Sequence, residues 1–276
     1  MGSKIRLFLF LLLFSAASLS FIFRERLQQT QLYAKAVESL GYSTVEPSAS
    51  PPPSYLFSAA RSANAANLLA NIESSRLSVN VADSAGMTLL MHASRGGNTN
   101  SVMALIEKGA ELNTQDVRGY TALMHSVSFR SRPTADYLLS RGADPNIIAK
   151  NGDTALSIAA VRGYPEIASN LISRSALVNL KNQQGLTPLM SAAQGGDIST
   201  IRELISRGAL VNDADIMGET PLMHAARFGS ASSAEELVKA GADFTLRNNL
   251  GQTALEIAVR ANHYMLAAYL NSIGAP

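Results

Sequence analysis

Three histidines occupy equivalent places in this chain and are the first residues to consider for chemistry. His92 and His125 lie thirty-three residues apart, and His224 lies three such intervals beyond His125. Imidazole groups at a fixed spacing can bind a metal ion or act in acid–base catalysis. However, Ile158 and Ile257 fill the same place elsewhere in the chain, and isoleucine can do neither. The spacing therefore predicts a packing position that binds no metal.

Other residues with catalytic potential form no recognisable arrangement. Asp213 and Asp215 are close enough in sequence for a carboxylate pair, but they lie among turn-forming residues and we interpret them as turn formers. The absence of cysteine excludes disulfides, a thiol nucleophile and cysteine metal sites. Neither a Ser/His/Asp arrangement nor a phosphate-binding loop occurs. The sequence predicts a protein that is not an enzyme and has no cofactor; the alternative is an enzymatic or small-molecule site hidden in a groove.

The elements that hold these residues are set by a sequence period of thirty-three residues. A threonine returns at each period, with a glycine two residues before it and a leucine two residues after it. A fixed period of this length predicts a stacked array, in which each unit buries its apolar face only against its neighbours. The repeating threonines are Thr88, Thr121, Thr154, Thr187, Thr220 and Thr253.

The unit GLTPLMSAAQGGDISTIRELISRGALVN shows how local chemistry sets the elements of one repeat. Thr187 is a good N-cap, and Pro188 follows at the first helical position, where its missing amide costs nothing. The glycine pair 195–196 ends this helix. Apolar residues at helical spacing predict a second helix over 198–206, antiparallel to the first. The turn formers in 210–218 predict an extended loop or hairpin.

This frame, G-x-T-P-L followed by A-A, a glycine break, a second helix and G-A-x-x-N, resembles the ankyrin repeat. The resemblance covers nearly all of residues 54–276 and implies an all-α solenoid of helix-turn-helix-hairpin units. One departure is consistent, because four copies carry methionine where the ankyrin pattern has histidine after the core leucine. A backward projection predicts a divergent seventh unit as an N-terminal cap. The expected repeats lie near 54–82, 83–115, 116–148, 149–181, 182–214, 215–247 and 248–276.

The resemblance also implies where the array binds other proteins. In the family, the hairpin tips and the end of the first helix line a concave groove. At these positions we expect exposed arginine and aromatic side chains, including the residue just before each repeating threonine, to anchor a partner. Phe129 and Phe228 share a slot that Gly96, Gly195 and Ala261 also fill, so folding does not require an aromatic ring there. The predicted partner-binding residues are Arg95, Arg118, Tyr120, Phe129, Arg162, Arg227, Phe228 and Arg260.

The chain begins with a basic segment and an apolar run, an arrangement typical of an export signal. Lys4 and Arg6 precede the uncharged run Leu7–Phe23, and we interpret residues 1–23 as a signal peptide or signal anchor. Small residues permit cleavage after Ala17, whereas the whole run would span about 25 Å as a helix, close to the roughly 30 Å of a bilayer core. Both outcomes stay open, as does a cytosolic array on a membrane tether.

Residues 24–53 are expected to form a helical stretch followed by a Ser/Pro-rich linker. We expect the repeats to be exported, either to the periplasm or to the periplasmic face of the inner membrane if the source is bacterial.

Charge limits the class of partner. Residues 54–276 contain eighteen basic and eighteen acidic residues, so the formal charge of +2 belongs to the first fifty-three residues. A neutral repeat domain lacks the basic surface that nucleic acids require. The expected partner is a protein of unknown identity, together with the membrane if the N-terminal segment is not cleaved. The array is expected to be a monomer.

Overall fold

The repeating threonine begins a helix in six successive units. The computed structural model describes residues 54–62 and 64–275, and in these units each threonine is the N-cap. Thr88 Oγ1 accepts the amide of Met91 at 3.3 Å, and the other five threonines make the equivalent bond. A cap of this kind stabilises a helix by about 1 kcal/mol. The predicted helix starts are therefore confirmed.

Seven consecutive pairs of α-helices, and no β-strand, are present in the described residues, which confirms the all-α repeat solenoid. The first helices of the pairs are α1 (Ser54–Arg61), α3 (Leu89–Arg95), α5 (Ala122–Ser128), α7 (Ala155–Val161), α9 (Pro188–Gly195), α11 (Pro221–Phe228) and α13 (Ala254–Arg260). The second helices are α2 (Ala65–Ser75), α4 (Thr99–Glu107), α6 (Arg132–Ser140), α8 (Pro165–Ser173), α10 (Ile198–Ser206), α12 (Ala231–Lys239) and α14 (Tyr264–Ser272).

The apolar core lies between the two rows of helices. Successive first helices pack against one another, and so do successive second helices. Small side chains permit close packing in the first row, where Ala192 and Ala193 of α9 are fully buried. A column of leucines runs through the second row, and burial of each one stabilises the fold by about 1.5–3 kcal/mol. Its fully buried members are Leu105, Leu138, Leu171, Leu204, Leu237 and Leu270.

A tight turn of five residues precedes each of the capping threonines. In the turn 116–120, the Asp116 amide donates to the Tyr120 carbonyl at 2.9 Å, and the Gly119 amide donates to the Asp116 carbonyl at 2.8 Å. Successive turns are tied together, because the Lys150 amide donates to the Arg118 carbonyl at 2.9 Å. The predicted hairpins are thus closed turns joined in a row, and they place their exposed residues on one edge of the array.

Asparagines at the last position of the G-A-x-x-N pattern link each of the first five units to the next. Asn146 accepts the amide of Leu177 at 2.8 Å and donates to the carbonyl of Ser175 at 3.0 Å. Asn80, in the divergent first unit, accepts the amide of Glu111 at 2.9 Å in the same way. The first unit therefore joins the array by the same contact as the regular units.

Candidate functional site

The ends of the first helices present large side chains to solvent. Phe129 directly follows α5 and is 53% exposed, and Phe228 is the last residue of α11 and is 55% exposed. Arg95, Arg227 and Arg260, which lie at the ends of their helices, are exposed as well. These side chains therefore lie on the surface, and their role in binding stays a prediction.

Five of the eight predicted binding residues line one cleft of about 500 Å³. We name it the arginine cleft after Arg95, Arg118 and Arg162, which line it together with Tyr120 and Phe129. Arg95 comes from the end of α3, Arg118 from the turn before α5, and Arg162 from the end of α7. The stacking of three successive units thus brings residues that are distant in sequence to one place.

Cation–π contacts order two of these guanidinium groups. The Arg95 guanidinium carbon lies 5.1 Å from the centre of the Phe129 ring, and that of Arg118 lies 4.8 Å from the Tyr120 ring centre. At exposed sites such a contact contributes about 0.5–1 kcal/mol. Arg118 also lies 3.6 Å from the carboxylate of Asp116. The rings therefore hold two arginines in place without neutralising their charge.

The wall of the arginine cleft contains a buried pair, Asp116 and His125. Asp116 Oδ2 and His125 Nε2 are 3.1 Å apart, and both side chains are almost completely buried. Burial lowers the pKa of His125, although the Asp116 carboxylate opposes this shift. Burial by itself raises the pKa of Asp116, but hydrogen bonds from the Tyr120 and Arg118 amides and from His125 outweigh it and lower that pKa. At neutral pH, a neutral imidazole therefore donates its Nε2–H to an ionised carboxylate.

Equivalent pairs occur in the other units that have histidine in this slot. His92 Nε2 lies 2.8 Å from Asp83 Oδ2, and His224 Nε2 lies 2.9 Å from Asp215 Oδ2. Where isoleucine or serine replaces the histidine, alanine or asparagine replaces the aspartate. The prediction of a packing position is therefore incomplete, because these buried histidines also fix the preceding turn. The joint change of two residues nine apart is the sequence signal that identifies the pairs.

The two aspartates interpreted as turn formers have different contacts. Asp215 Oδ1 accepts the amides of Met217 and Glu219, both at 2.8 Å, and so closes its turn as predicted. Asp213 lies 2.7 Å from the Nζ of Lys181 in the preceding unit. One aspartate thus shapes a single turn, and the other also joins neighbouring units.

The other three predicted residues lie in the last two units. Arg227 and Arg260 line a smaller cleft of about 380 Å³ together with Leu250, whereas Phe228 is not part of its lining. The Arg227 guanidinium makes two hydrogen bonds to the buried carboxylate of Glu219. The charge of Arg227 is thus already balanced within the protein, unlike the charges of Arg95 and Arg162 in the arginine cleft.

The residue just before each repeating threonine is less exposed than predicted. Met87 and Glu219 are buried, and Tyr120 is half-buried with its ring centre 5.8 Å from that of His125. The physical reason is the hydrogen bond across the turn, which directs this residue back over the first helix. Tyr120 therefore lines the arginine cleft as a partly buried ring.

Exposed apolar residues at the turn tips are a surface feature that the sequence interpretation missed. They lie three or four residues before the capping threonines, where the surrounding residues are mostly polar. A large apolar side chain at the tip of a polar turn is the signal that could have identified them. The exposed residues are Val117, Ile216, Met217 and Leu250.

One group of three side chains in the described part of the chain has ligand atoms close enough to hold a metal ion. These atoms, from Asp215, Glu219 and His224, lie within 4.8 Å of one another. Each side chain already has a protein partner, since Asp215 pairs with His224 and Glu219 pairs with Arg227. Gln194 Nε2 lies 3.0 Å from the remaining ring nitrogen of His224. The group is therefore explained by the packing of the turn.

The predicted signal or anchor segment 1–23 and the linker 24–53 lie outside the described residues. Within residues 54–62 and 64–275, none of the helices has the length and apolar character needed to cross a membrane.

The paired helices, capping threonines and linked turns define an ankyrin repeat protein, and this chain belongs to the ankyrin repeat family. The family model for ankyrin repeats matches in three copies, over residues 56–149, 141–215 and 209–275. Among solved structures, the chain is similar to the human ASB11 ankyrin repeat domain, with a TM-score of 0.68 and 26% sequence identity. The match covers 77% of this chain and 96% of that chain. No curated protein matches this chain. Ankyrin repeats generally mediate protein–protein interaction and are typically non-enzymatic scaffolds.

Proposed function

We propose that this chain is a non-catalytic scaffold that binds a partner protein in the groove formed by its turns and helix ends. The observation that carries the proposal is the arginine cleft. The predicted binding residues that line it come from three units and are Arg95, Arg118, Arg162, Tyr120 and Phe129. Arginine and aromatic side chains are the usual anchors of protein interfaces.

The comparison of equivalent slots supports a binding role for the exposed rings. The slot of Phe129 is filled by Gly96 and Gly195 in other units, and the array folds there with no side chain at all. A half-exposed ring adds little to folding, whereas burial of such a ring in a partner contributes roughly 2 kcal/mol or more. A ring at this position therefore contributes more to binding another molecule than to the stability of the core.

We further propose that the repeats are exported, either free of the N-terminal segment or anchored by it. The support is the order of basic residues, the apolar run Leu7–Phe23 and the Ser/Pro-rich spacer before the first repeat. A scaffold held at the membrane by its N-terminal segment would capture its partner at the membrane surface.

The binding proposal is tested with Phe129→Ala and Phe228→Ala in the full chain. A photo-crosslinking residue placed at Val117, which is exposed and lines the arginine cleft, identifies the partner, and calorimetry with the purified partner gives its Kd. We expect both alanine variants to melt within a few degrees of the parent, because the rings are outside the core. We expect binding to weaken at least tenfold, which is about 1.4 kcal/mol.

Met265→Ala is the matched control for this test, because Met265 is a large apolar residue that is 86% exposed and lies on α14, away from the groove. This variant should keep both stability and affinity. Early melting of the two phenylalanine variants would place the rings in the core. Normal melting with full affinity would place the contact surface elsewhere on the array.

A further inference from the structure

We propose that the arginine cleft binds an extended acidic segment of the partner, through the carboxylates of at least two aspartate or glutamate side chains. This inference rests on the proposed function and specifies the chemistry of the segment that is bound. It follows from three features of the arginine cleft: its charge, the state of its guanidinium groups and their distribution over the units.

The charge of the arginine cleft is unbalanced. Arg95, Arg118 and Arg162 line it, whereas its lining contains one carboxylate, that of Asp116. The Asp116 side chain is only 1% exposed, is occupied by His125 and by two backbone amides, and lies 3.6 Å from Arg118, so it balances at most one of the three arginines. The repeat domain as a whole carries equal numbers of basic and acidic residues, so this local excess of positive charge is a specific feature of the surface.

Two of the three guanidinium groups of the arginine cleft, those of Arg95 and Arg162, are available to a ligand, whereas that of Arg118 lies 3.6 Å from the Asp116 carboxylate. Among the described residues, no acidic side chain forms an ion pair with Arg95 or Arg162. Arg202, in contrast, makes two hydrogen bonds to the Glu236 carboxylate at 2.8 and 2.9 Å. Guanidinium groups bind carboxylates through two parallel hydrogen bonds, and such charge-assisted bonds are about twice as strong as neutral ones.

The distribution of the three arginines favours an extended chain over a single phosphate group. Each arginine belongs to a different unit, and stacking on Phe129 and Tyr120 holds Arg95 and Arg118 on separate rings. A compact dianion would require the guanidinium groups to converge on one point. A peptide in extended form advances by about 3.3 Å per residue and places alternate side chains on one face. Two acidic side chains can then meet separate arginines while an apolar side chain contacts the exposed ring of Phe129.

The test uses the full chain and a displayed library of short random peptides. Parallel selections use the parent, the triple variant Arg95→Gln/Arg118→Gln/Arg162→Gln and the control Arg141→Gln. Arg141 is a matched control because its guanidinium also stacks on a tyrosine, Tyr137, at 5.9 Å but lies outside the arginine cleft. An enriched peptide is then synthesised, and its Kd is measured at low and high salt.

We expect peptides with two or more acidic residues to be enriched on the parent and on Arg141→Gln, and to be lost on the triple variant. The synthesised peptide should bind the triple variant at least tenfold more weakly, and its affinity should fall as salt screens the ion pairs. Unchanged melting temperatures of the three proteins would confirm that each is folded.

Neutral or basic peptides, no enriched peptide, or acidic peptides that bind the triple variant equally well would overturn the inference. A phosphoserine version that binds more than tenfold tighter than the glutamate version would overturn the carboxylate assignment. The proposed function is unaffected by these outcomes if Phe129→Ala still weakens binding of the crosslinked partner. If Phe129→Ala also bound the partner at full strength, the groove itself would be rejected as the binding surface.

Discussion

The buried pair of Asp116 and His125 joins a turn to the helix that follows it. The aspartate accepts two turn amides through Oδ1 and the imidazole N–H through Oδ2, so both carboxylate oxygens are hydrogen-bonded. Asn248 achieves the same turn closure in the last unit, where Ile257 fills the histidine slot. The chain thus closes this turn in two ways, with an aspartate and a histidine that titrate or with an asparagine and an isoleucine that do not.

The buried Asp–His pairs make the stability of the fold depend on pH. Burial lowers the pKa of His92 and of His125 below the usual value of about 6.5, so the unfolded chain binds protons that the folded chain does not. This contribution is complete above about pH 6.5 and is lost as the pH falls through that value towards the folded pKa. Asp83 and Asp116 have lowered pKa values, and their contribution is lost only below about pH 4.

We predict that acidification from pH 7.5 to pH 5 destabilises the parent and has a smaller effect on Asp116→Asn/His125→Ile. The double variant copies the Asn248/Ile257 combination, so it keeps the turn amides bonded while it removes both titrating groups. Urea denaturation at several pH values measures the difference. The single variant His125→Ile is the control, and it should be less stable than the double variant because it leaves a buried carboxylate without its partner. Parallel pH profiles for parent and double variant would contradict the prediction.

Among the elements, the five-residue turn depends most strictly on one residue type. Gly152 has a φ of +86°, a conformation that other residues rarely adopt. A Cβ atom at this position would lie 2.5 Å from the amide nitrogen of Gln183 in the next turn. That amide donates to the Asn151 carbonyl at 3.1 Å, so the glycine permits the hydrogen bond that joins the two turns. Glycine is therefore required by both conformation and space.

We predict that Gly152→Ala destabilises the array more than Gly251→Ala. Gly251 has a similar φ of +75°, but no described atom lies within 4 Å of its Cβ position. The left-handed conformation alone costs alanine about 1–2 kcal/mol, and the clash at residue 152 should add at least about 1 kcal/mol. Chemical denaturation of both variants gives the comparison. Equal losses would show that the next turn shifts without cost.

At the level of the whole molecule, the regular features were accessible from sequence because each has a local physical cause. The N-cap threonines, the second helix over 198–206 and the buried leucine column follow from residue type and spacing. The contacts across units were not accessible in the same way. The cation–π pair of Arg95 and Phe129 joins residues of adjacent units, and the inward position of Tyr120 follows from a hydrogen bond across the turn. Spacing alone specifies neither the rotamer nor the register that these contacts need.

The cellular location of the protein depends on its N-terminal segment. We predict that an export-dependent reporter fused after Pro276 is active in a bacterial host, because Lys4 and Arg6 precede the uncharged run Leu7–Phe23, the order of segments in an export signal. The matched control is Leu11→Arg/Leu13→Arg, which interrupts the run and should abolish the activity, since each charge opposes insertion by about 2.5–3.5 kcal/mol.

A cytosolic reporter fused at the same place should show the opposite pattern. Mass spectrometry of the mature N-terminus then separates cleavage after Ala17 from retention of the anchor. The distinction bears on binding, because a retained anchor would confine the arginine cleft to within the reach of the linker 24–53, whereas cleavage would free it to diffuse. An inactive export reporter beside an active cytosolic one would reverse the assignment and place the repeats on the cytosolic side.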